Sequence, residues 1–224
     1  MPTVYIETSI ISYAAARPSN DPHVLVRQED AKRWWDEYSR QYDLFISQAV
    51  LDEAGHGDPA AAKQRLQLLQ GLPLIPITAE VIQVARELID RSLLPEKASA
   101  DALHLAAAAI GDVEYLVTLN CRHIANAHIL PKIYQAFGGF GRAKTAHLYT
   151  AGILWRRPMT EKNHEVDPII EELHAVRRKL HDDCGGDLER MAREMCERQD
   201  ASRHPIASVP VTRSRVPKQS SGIH

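Results

Sequence analysis

Residues 3–9 read Thr-Val-Tyr-Ile-Glu-Thr-Ser, a β-branched and aromatic run that stops at one acidic and two hydroxyl side chains. The apolar residues Ile10, Ile11 and Tyr13 follow at helical spacing. This order predicts a strand, then a polar capping position, then a helix. Glu7 therefore stands at the carboxyl end of a strand, where open parallel sheets place their ligands.

The same alternation continues along the chain. Residues 43–47 (Asp-Leu-Phe-Ile-Ser) and 115–118 (Tyr-Leu-Val-Thr) are two further buried-strand candidates. Helical patterns begin near residues 24, 48, 59, 79 and 99. Short strands alternating with helices predict an α/β fold, a parallel sheet flanked by helices, in one domain over residues 1–139.

The remainder of the chain follows other patterns. Residues 140–158 have neither helical nor strand periodicity and are predicted to form an irregular junction. Residues 159–200 are predicted to form a two-helix extension, because apolar residues recur at helical spacing from Asp167 and are interrupted at Cys184. Residues 201–224 contain three prolines and no acidic residue, which predicts a disordered tail.

Composition excludes several classes of protein. In 224 residues there is no apolar run long enough to span a membrane, so no membrane association is expected. The N-terminus lacks the pattern of a secretory signal, and the three cysteines are too few and too scattered for a disulfide scaffold or a four-ligand zinc site, so a cytoplasmic location is expected. With 27 basic and 29 acidic residues, the net charge of −2 would not bind nucleic acid by bulk attraction.

Four oxygen-bearing side chains form the candidate catalytic and metal site. Glu7 and Asn120 follow predicted strands, Glu53 lies in the helix after the second strand, and Asp101 lies early in the alanine-rich helix. Converging oxygen ligands suit Mg²⁺ or Mn²⁺, which would activate water for attack on a phosphodiester. Taken singly, the acids could favour a helix dipole or lie on a solvated face, and Asn120 could be a turn residue. The prediction depends on the four together.

Other residues keep two interpretations. His104, three residues after Asp101, either supports the site or is a core histidine. Arg122 and His123 either contact RNA phosphate or only close a loop. The pair at 34–35 (Trp-Trp) belongs to the core or to a dimer interface.

Four segments resemble a known family when taken in order. They are VYIETSIISY (4–13), FISQAVLDEA (45–54), ADALHLAAA (100–108) and YLVTLNCRHIANA (115–127). Over residues 2–137 they resemble a PIN domain of the VapC-like toxins of bacterial and archaeal type II toxin–antitoxin systems. The resemblance implies a Mg²⁺-dependent endoribonuclease with RNA as substrate and an antitoxin as partner, and we expect a homodimer.

By this resemblance Glu7, Glu53 and Asp101 match the acidic positions of the family, and Asn120 stands where many relatives have another carboxylate. The first acid of the family is usually Asp, so the longer side chain of Glu7 moves the carboxylate out by one methylene. Asn120 removes a negative charge, which favours one bound metal over two. Thr8 and Ser9 are expected to cap the first helix, with support of the pocket as the second option. An inactive binding or regulatory protein that retains the fold is the alternative function.

Residues 159–213 resemble the small helical proteins often encoded beside such toxins. The extension is therefore interpreted as a fused partner or antitoxin, or as an oligomerisation segment. Residues 147–152 (His-Leu-Tyr-Thr-Ala-Gly) permit codons that, shifted by one nucleotide, read Ile-Cys-Thr-Pro-Pro-Glu, which is similar to the end of many of these toxins. A frameshift fusion of two adjacent genes is the third interpretation, and the nucleotide sequence tests it.

Overall fold

A computed structural model describes residues 1–139, 147–150 and 167–211. It confirms the predicted α/β fold. The four described strands are all parallel and lie in the order β2-β1-β3-β4, with bounds β1 (Thr3–Ile6), β2 (Asp43–Phe45), β3 (Tyr115–Thr118) and β4 (His147–Thr150). Because the strands are parallel, their carboxyl ends share one edge of the sheet, where Glu7 and Asn120 follow β1 and β3.

Helices flank this sheet. Their bounds are α1 (Thr8–Ala15), α2 (Pro22–Arg33), α3 (Gln48–Ala54), α4 (Pro59–Leu69), α5 (Ala79–Asp90), α6 (Ser99–Gly111), α7 (Leu130–Gly139), α8 (Pro168–Asp183) and α9 (Leu188–Asp200). Helices α2, α4 and α8 each begin with an Asp cap followed by Pro, which needs no backbone N–H there. Among the described residues no helix is long and apolar enough to cross a membrane.

Helix α6 runs through the centre of the core. Every residue from Ser99 to Gly111 is buried, as expected for a helix made mostly of alanine and other apolar residues. Gly111 has to be small, since a Cβ there would lie 2.5 Å from Cδ1 of Ile75. This central position places Asp101 and His104 inside the protein rather than on its surface.

The extension shares this core. Leu180 of α8 and Met191 and Met195 of α9 are buried and belong to the same apolar cluster as the strands. Trp34 also belongs to it, at 1% exposure, and Trp35 packs against it, so the structure places this pair in the core. Helices α8 and α9 confirm the predicted two-helix extension.

The prediction of an irregular junction over residues 140–158 is wrong in part. Residues 147–150 form β4, which pairs with β3 from His147 opposite Tyr115 to Thr150 opposite Thr118. Four residues are too few to show a periodicity, and this strand is specified by its neighbour. The sheet therefore extends past residue 139, the predicted end of the domain, whereas residues 140–146 and 151–158 lie outside the described part.

The prediction of a disordered tail over residues 201–224 is also wrong in part. Ala207 donates its backbone N–H to the carbonyl of Leu74 at 2.8 Å, and the N–H of Leu74 donates to the carbonyl of Pro205 at 2.7 Å. Leu74 lies beside the end of β2 and would otherwise expose an unpaired edge. Composition does not reveal such pairing; residues 212–224 lie outside the described part.

Candidate metal centre

The structure brings the four predicted site residues together at the carboxyl edge of the sheet. Glu7, Glu53, Asp101 and Asn120 have relative exposures of 0%, 2%, 2% and 1%. Burying three carboxylates in one place is costly unless hydrogen bonds and positive charge compensate. The surrounding side chains supply both.

Glu7 is fixed by hydroxyl and backbone donors. Its Oε2 accepts hydrogen bonds from the backbone N–H of Ser9 at 3.1 Å and from Thr118 Oγ1 at 2.7 Å, and also from the Ser9 hydroxyl. The Ser9 oxygen in turn accepts from the N–H of Leu119 at 2.7 Å. The expectation that Thr8 or Ser9 caps α1 is therefore wrong, because Glu7 itself caps the helix and Ser9 supports the pocket.

Glu53 is held by a chain of buried polar groups. His104 Nε2 lies 3.0 Å from Glu53 Oε1, and its Nδ1 lies 2.8 Å from the hydroxyl of Tyr5. An ionised carboxylate only accepts hydrogen bonds, so Nε2 donates to Glu53 and, in the neutral ring, Nδ1 accepts from Tyr5. The Tyr5 oxygen also lies 2.7 Å from Ser47 Oγ. His104 is thus a core histidine that also orients a site carboxylate.

Asp101 is oriented from the loop after β3. Asn120 Nδ2 donates to Asp101 Oδ1 at 2.8 Å, and His123 Nδ1 lies 2.9 Å from Asp101 Oδ2. The Asn120 oxygen accepts from the N–H of His123 at 3.3 Å. Both ends of the Asn120 amide are therefore engaged, and in this state Asn120 positions Asp101 instead of offering a free ligand. Arg122 is exposed, whereas His123 closes the loop onto the site.

A fifth residue, absent from the sequence prediction, lies at the centre of the cluster. Arg177 of α8 donates from Nε to Glu53 Oε1 at 2.8 Å and from Nη2 to Glu53 Oε2 at 2.9 Å. Its Nη1 donates to Asp101 Oδ1 at 2.6 Å, and Nη2 also donates to Glu7 Oε1. The available signal was an arginine on the apolar stripe of α8, four residues after Leu173 and three before Leu180.

The charges of the cluster depend on one another. Burial alone would raise the pKa of Glu53 and of Asp101, but Arg177, aided by His104 and His123 respectively, holds both pKa values below normal. Burial would lower the pKa of Arg177, and Glu53, Asp101 and Glu7 raise it well above its usual value instead. Three carboxylates face one guanidinium, so the cluster retains an excess of negative charge.

The donor set fits a hard divalent cation. Ligand atoms of Glu7, Glu53 and His104 all lie within 4.8 Å of one another, although both ring nitrogens of His104 are engaged by Glu53 and Tyr5. Asp101 is outside this group and shares Arg177 with the two glutamates. Carboxylate oxygens are the usual ligands of Mg²⁺ and Mn²⁺. The hydroxyl of Thr8, the residue after Glu7, is buried and has no hydrogen-bond partner among the described residues.

Comparison with known families agrees with this geometry. A model of the PIN domain matches residues 4–128, more than half of the chain. The chain belongs to the PIN domain family. PIN domains are typically nucleases that use divalent metals. Neither the curated proteins nor the solved structures include a match to this chain. The matched region contains Glu7, Glu53, Asp101 and Asn120 but not Arg177.

A cleft of about 320 Å³ opens beside Glu53. It lies between α1, α4 and α8, and its lining includes the cationic side chains of Arg17 and Arg65. The extension forms one wall through Ile169, Glu172 and Val176. Of the four predicted site residues, Glu53 alone lines this cleft, and α8 forms part of its wall.

Proposed function

We propose that this PIN domain is a Mg²⁺- or Mn²⁺-dependent endoribonuclease that hydrolyses RNA phosphodiester bonds. The observation that supports this most directly is the convergence of three buried carboxylates, Glu7, Glu53 and Asp101, at the carboxyl edge of the sheet. A divalent metal, when bound, supplies an activated water and neutralises charge that develops on the phosphodiester.

In this proposal Glu7, Glu53 and Asp101 hold the metal. The supporting side chains fix their orientation, as the partners of metal ligands usually do. Ser9 and Thr118 donate to Oε2 of Glu7 and so fix its carboxylate. The other oxygen, Oε1, accepts a hydrogen bond from Arg177, which also contacts Glu53 and Asp101. His104 likewise fixes the carboxylate of Glu53, and Asn120 that of Asp101. The amide at position 120 leaves three acidic ligands, which supports one metal rather than two.

Substrate would approach through the cleft lined by Arg17 and Arg65. Guanidinium groups bind phosphate oxygens with directed hydrogen bonds. Local arginines and the metal would then replace the bulk positive charge that the chain lacks. Arg17 is exposed and can fill this role, whereas Arg65 is buried and its guanidinium already donates to the backbone carbonyls of Ala54 and His56.

We further propose that the protein is the toxin of a toxin–antitoxin pair and that the extension is its partner segment. The four motif segments support the first part. Contacts from α8, α9 and residues 205–211 to the PIN domain support a partner segment more than a separate oligomerisation arm. A separate cognate antitoxin, a homodimer and a cytoplasmic location stay predictions; light scattering of the full chain tests the homodimer.

One observation favours the alternative, a regulatory protein that binds but does not cleave RNA. The acidic cluster is filled by Arg177, and Asn120 supplies no fourth negative charge. Under this alternative the chain would bind RNA without cleaving it, even when Arg177 has been removed and millimolar Mn²⁺ is present.

The proposed function is tested by Asp101→Asn in a full chain that also has Arg177→Ala. RNA cleavage in Mg²⁺ should fall by more than about 100-fold, beyond the 10- to 100-fold typical for groups that only support a metal ligand. Asp112→Asn is the matched control. Asp112 ends the same helix with φ +52°, which Asn also tolerates, so cleavage should be unchanged. Equal cleavage by both variants would contradict the assignment.

A further inference from the structure

A chain of hydrogen bonds leads from Glu53 into the core behind the acidic cluster. Its members are Ser47, Tyr5 and His104, which are fully buried, and Glu53, which is 2% exposed. We propose that Tyr5 and Ser47 are positioning residues that act through His104. They hold its ring so that the Nε2–H group fixes the Glu53 carboxylate for a divalent cation. The inference rests on the proposed function, because it concerns the residues that prepare the same metal site.

The direction of the chain follows from the hydrogen that each group has to give. An ionised Glu53 only accepts, so Nε2 of His104, which lies 3.0 Å from Glu53 Oε1, is the donor. In the neutral ring Nδ1 has no hydrogen and accepts from the Tyr5 hydroxyl at 2.8 Å. Tyr5 has then given its only hydrogen, so Ser47 Oγ, at 2.7 Å, donates to the Tyr5 oxygen. All three hydrogens therefore point towards Glu53.

Ser47 gives up a common role to take part in this chain. It stands at the N-cap of α3, where a serine side chain usually accepts from a backbone N–H group of the first helical turn. Here the side chain makes no such bond, although the Ser47 carbonyl accepts from the N–H of Val50 at 3.1 Å. The hydroxyl is directed to Tyr5 instead. Departures from a local preference are typical of residues that serve a functional site.

The chain joins four parts of the fold. Tyr5 lies in β1, which pairs with β2 and β3, and Ser47 lies between β2 and α3. His104 lies in α6 and Glu53 in α3. The rings of Tyr5 and His104 also meet edge to face, with centroids 5.9 Å apart and planes at 63°. Because the ring of His104 is held from both sides, it cannot turn without losing a hydrogen bond, and Glu53 Oε1 has a fixed donor.

Packing alone does not explain these buried polar groups. Apolar side chains of the same shape can replace a buried hydrogen-bonded pair at little cost, so the core does not require the hydroxyls of Tyr5 and Ser47. A buried polar network is favourable only when its members are bonded, and each of the polar side-chain atoms of Tyr5, Ser47 and His104 has a partner. A completely bonded chain that ends on a carboxylate of the site matches the groups that usually orient metal ligands.

The first test is nuclear magnetic resonance of the full chain with isotope-labelled histidine, and it needs no change at the acidic cluster. The signals of the His104 ring are assigned by their absence in His104→Gln. In the unmodified chain we expect a hydrogen on Nε2 that exchanges slowly with water, and none on Nδ1. Tyr5→Phe should speed this exchange by about 10-fold, because the ring loses one of its two hydrogen bonds.

The matched control for this test is Tyr13→Phe. Tyr13 is also a buried tyrosine, but its hydroxyl donates to Asp167. Both variants lose one hydrogen bond of a buried tyrosine, so a purely structural loss would affect the His104 ring equally in both. Exchange as fast in Tyr13→Phe as in Tyr5→Phe, or a hydrogen on Nδ1 in the unmodified chain, would overturn the proposal.

The second test is calorimetric titration with Mn²⁺ alone, in full chains that also have Arg177→Ala. Groups that orient a metal ligand usually change metal affinity by about 10- to 100-fold, which we expect for His104→Ala. Tyr5→Phe and Ser47→Ala act at a greater distance from the metal, so they should weaken binding less, by about 3- to 10-fold. Tyr13→Phe should leave the Kd unchanged.

The outcomes separate this proposal from the proposed function. Equal Kd values for Tyr5→Phe, Ser47→Ala and Tyr13→Phe would contradict the positioning role, and cleavage of RNA by all three would leave the nuclease assignment intact. Weaker Mn²⁺ binding by Tyr5→Phe, in chains that cleave no RNA, would support the positioning role and overturn the proposed function. If Tyr5→Phe does not fold, Ser47→Ala is compared with the same control in both tests.

Discussion

Ser9 shows how single hydroxyl groups hold the acidic cluster together. It donates to Glu7 and accepts from the backbone of Leu119, so one side chain connects α1, the end of β3 and the site. Ser9→Ala leaves the buried N–H of Leu119 without this acceptor, at a cost of about 1–3 kcal/mol. Urea unfolding of the full chain measures it.

The matched control for that prediction is Ser12→Ala, on the same helix. Ser12 takes no part in the hydrogen bonds to Glu7 or Leu119, so its substitution should cost clearly less than that of Ser9. Equal losses of unfolding free energy in the two variants would show that the Ser9 contacts contribute nothing beyond burial.

At this scale the sequence predicted the acids and missed their partners. Glu7, Glu53 and Asp101 could be found because strand ends and early helix positions are read from local patterns. Arg177 is 170 positions from Glu7, and no local pattern joins them. Asn120 was placed at the site, but its hydrogen bonds to Asp101 and His123 were not predicted, because the direction of its side chain depends on these two residues.

Helix α9 is attached to the PIN domain by the ion pair between Arg198 and Asp52. Arg198 has 43% of its side chain exposed, so solvent screens the pair, but Asp52 is buried at 6%. Arg198→Ala should therefore destabilise the chain by about 1 kcal/mol, the upper end for an exposed pair. Arg190→Ala, which removes a pair with Glu194 on the outer face of the same helix, should have a smaller effect. Equal losses of unfolding free energy in the two variants, measured by urea unfolding, would contradict the proposal that the Arg198–Asp52 pair holds α9 to the PIN domain.

The pairing of residues 205–207 with Leu74 makes a second prediction for the elements. The amide hydrogens of Leu74 and Ala207 donate to backbone carbonyls, so both should exchange slowly with deuterated solvent. Ala207→Pro removes one donor, and the amide of Leu74 should then exchange faster. Rapid exchange at Leu74 in the unmodified chain would contradict the pairing.

Elements with local signals were predicted best. The Asp-Pro starts of α4 and α8 are sequence signals with a physical cause, and both helices form. Helix α2 begins in the same way at Pro22, two residues before its predicted start near residue 24. Strand β4 and residues 205–207 were missed because backbone partners far away in sequence specify them, Tyr115–Thr118 for one and Leu74 for the other.

For the molecule as a whole, the extension contributes to the hydrophobic core and covers the acidic cluster. Apolar residues of α8 and α9 join the common core, while Arg177 and Glu172 face the acidic cluster and the cleft. The acidic cluster keeps an excess of negative charge, because three carboxylates face the single guanidinium of Arg177. The chain is therefore a PIN domain whose acidic cluster is covered by its own C-terminal extension.

The most direct test of this account is RNA cleavage in Mg²⁺ by three full chains: wild type, Arg177→Ala, and Arg177→Ala with Asp101→Asn. Removal of the guanidinium should raise the rate of RNA cleavage by at least about 10-fold, because a 10-fold lower Kd for Mg²⁺ would fill the site with metal at subsaturating Mg²⁺. The second substitution should abolish that gain. Cleavage by wild type that Arg177→Ala leaves unchanged, or cleavage that survives the loss of Asp101, would contradict the account.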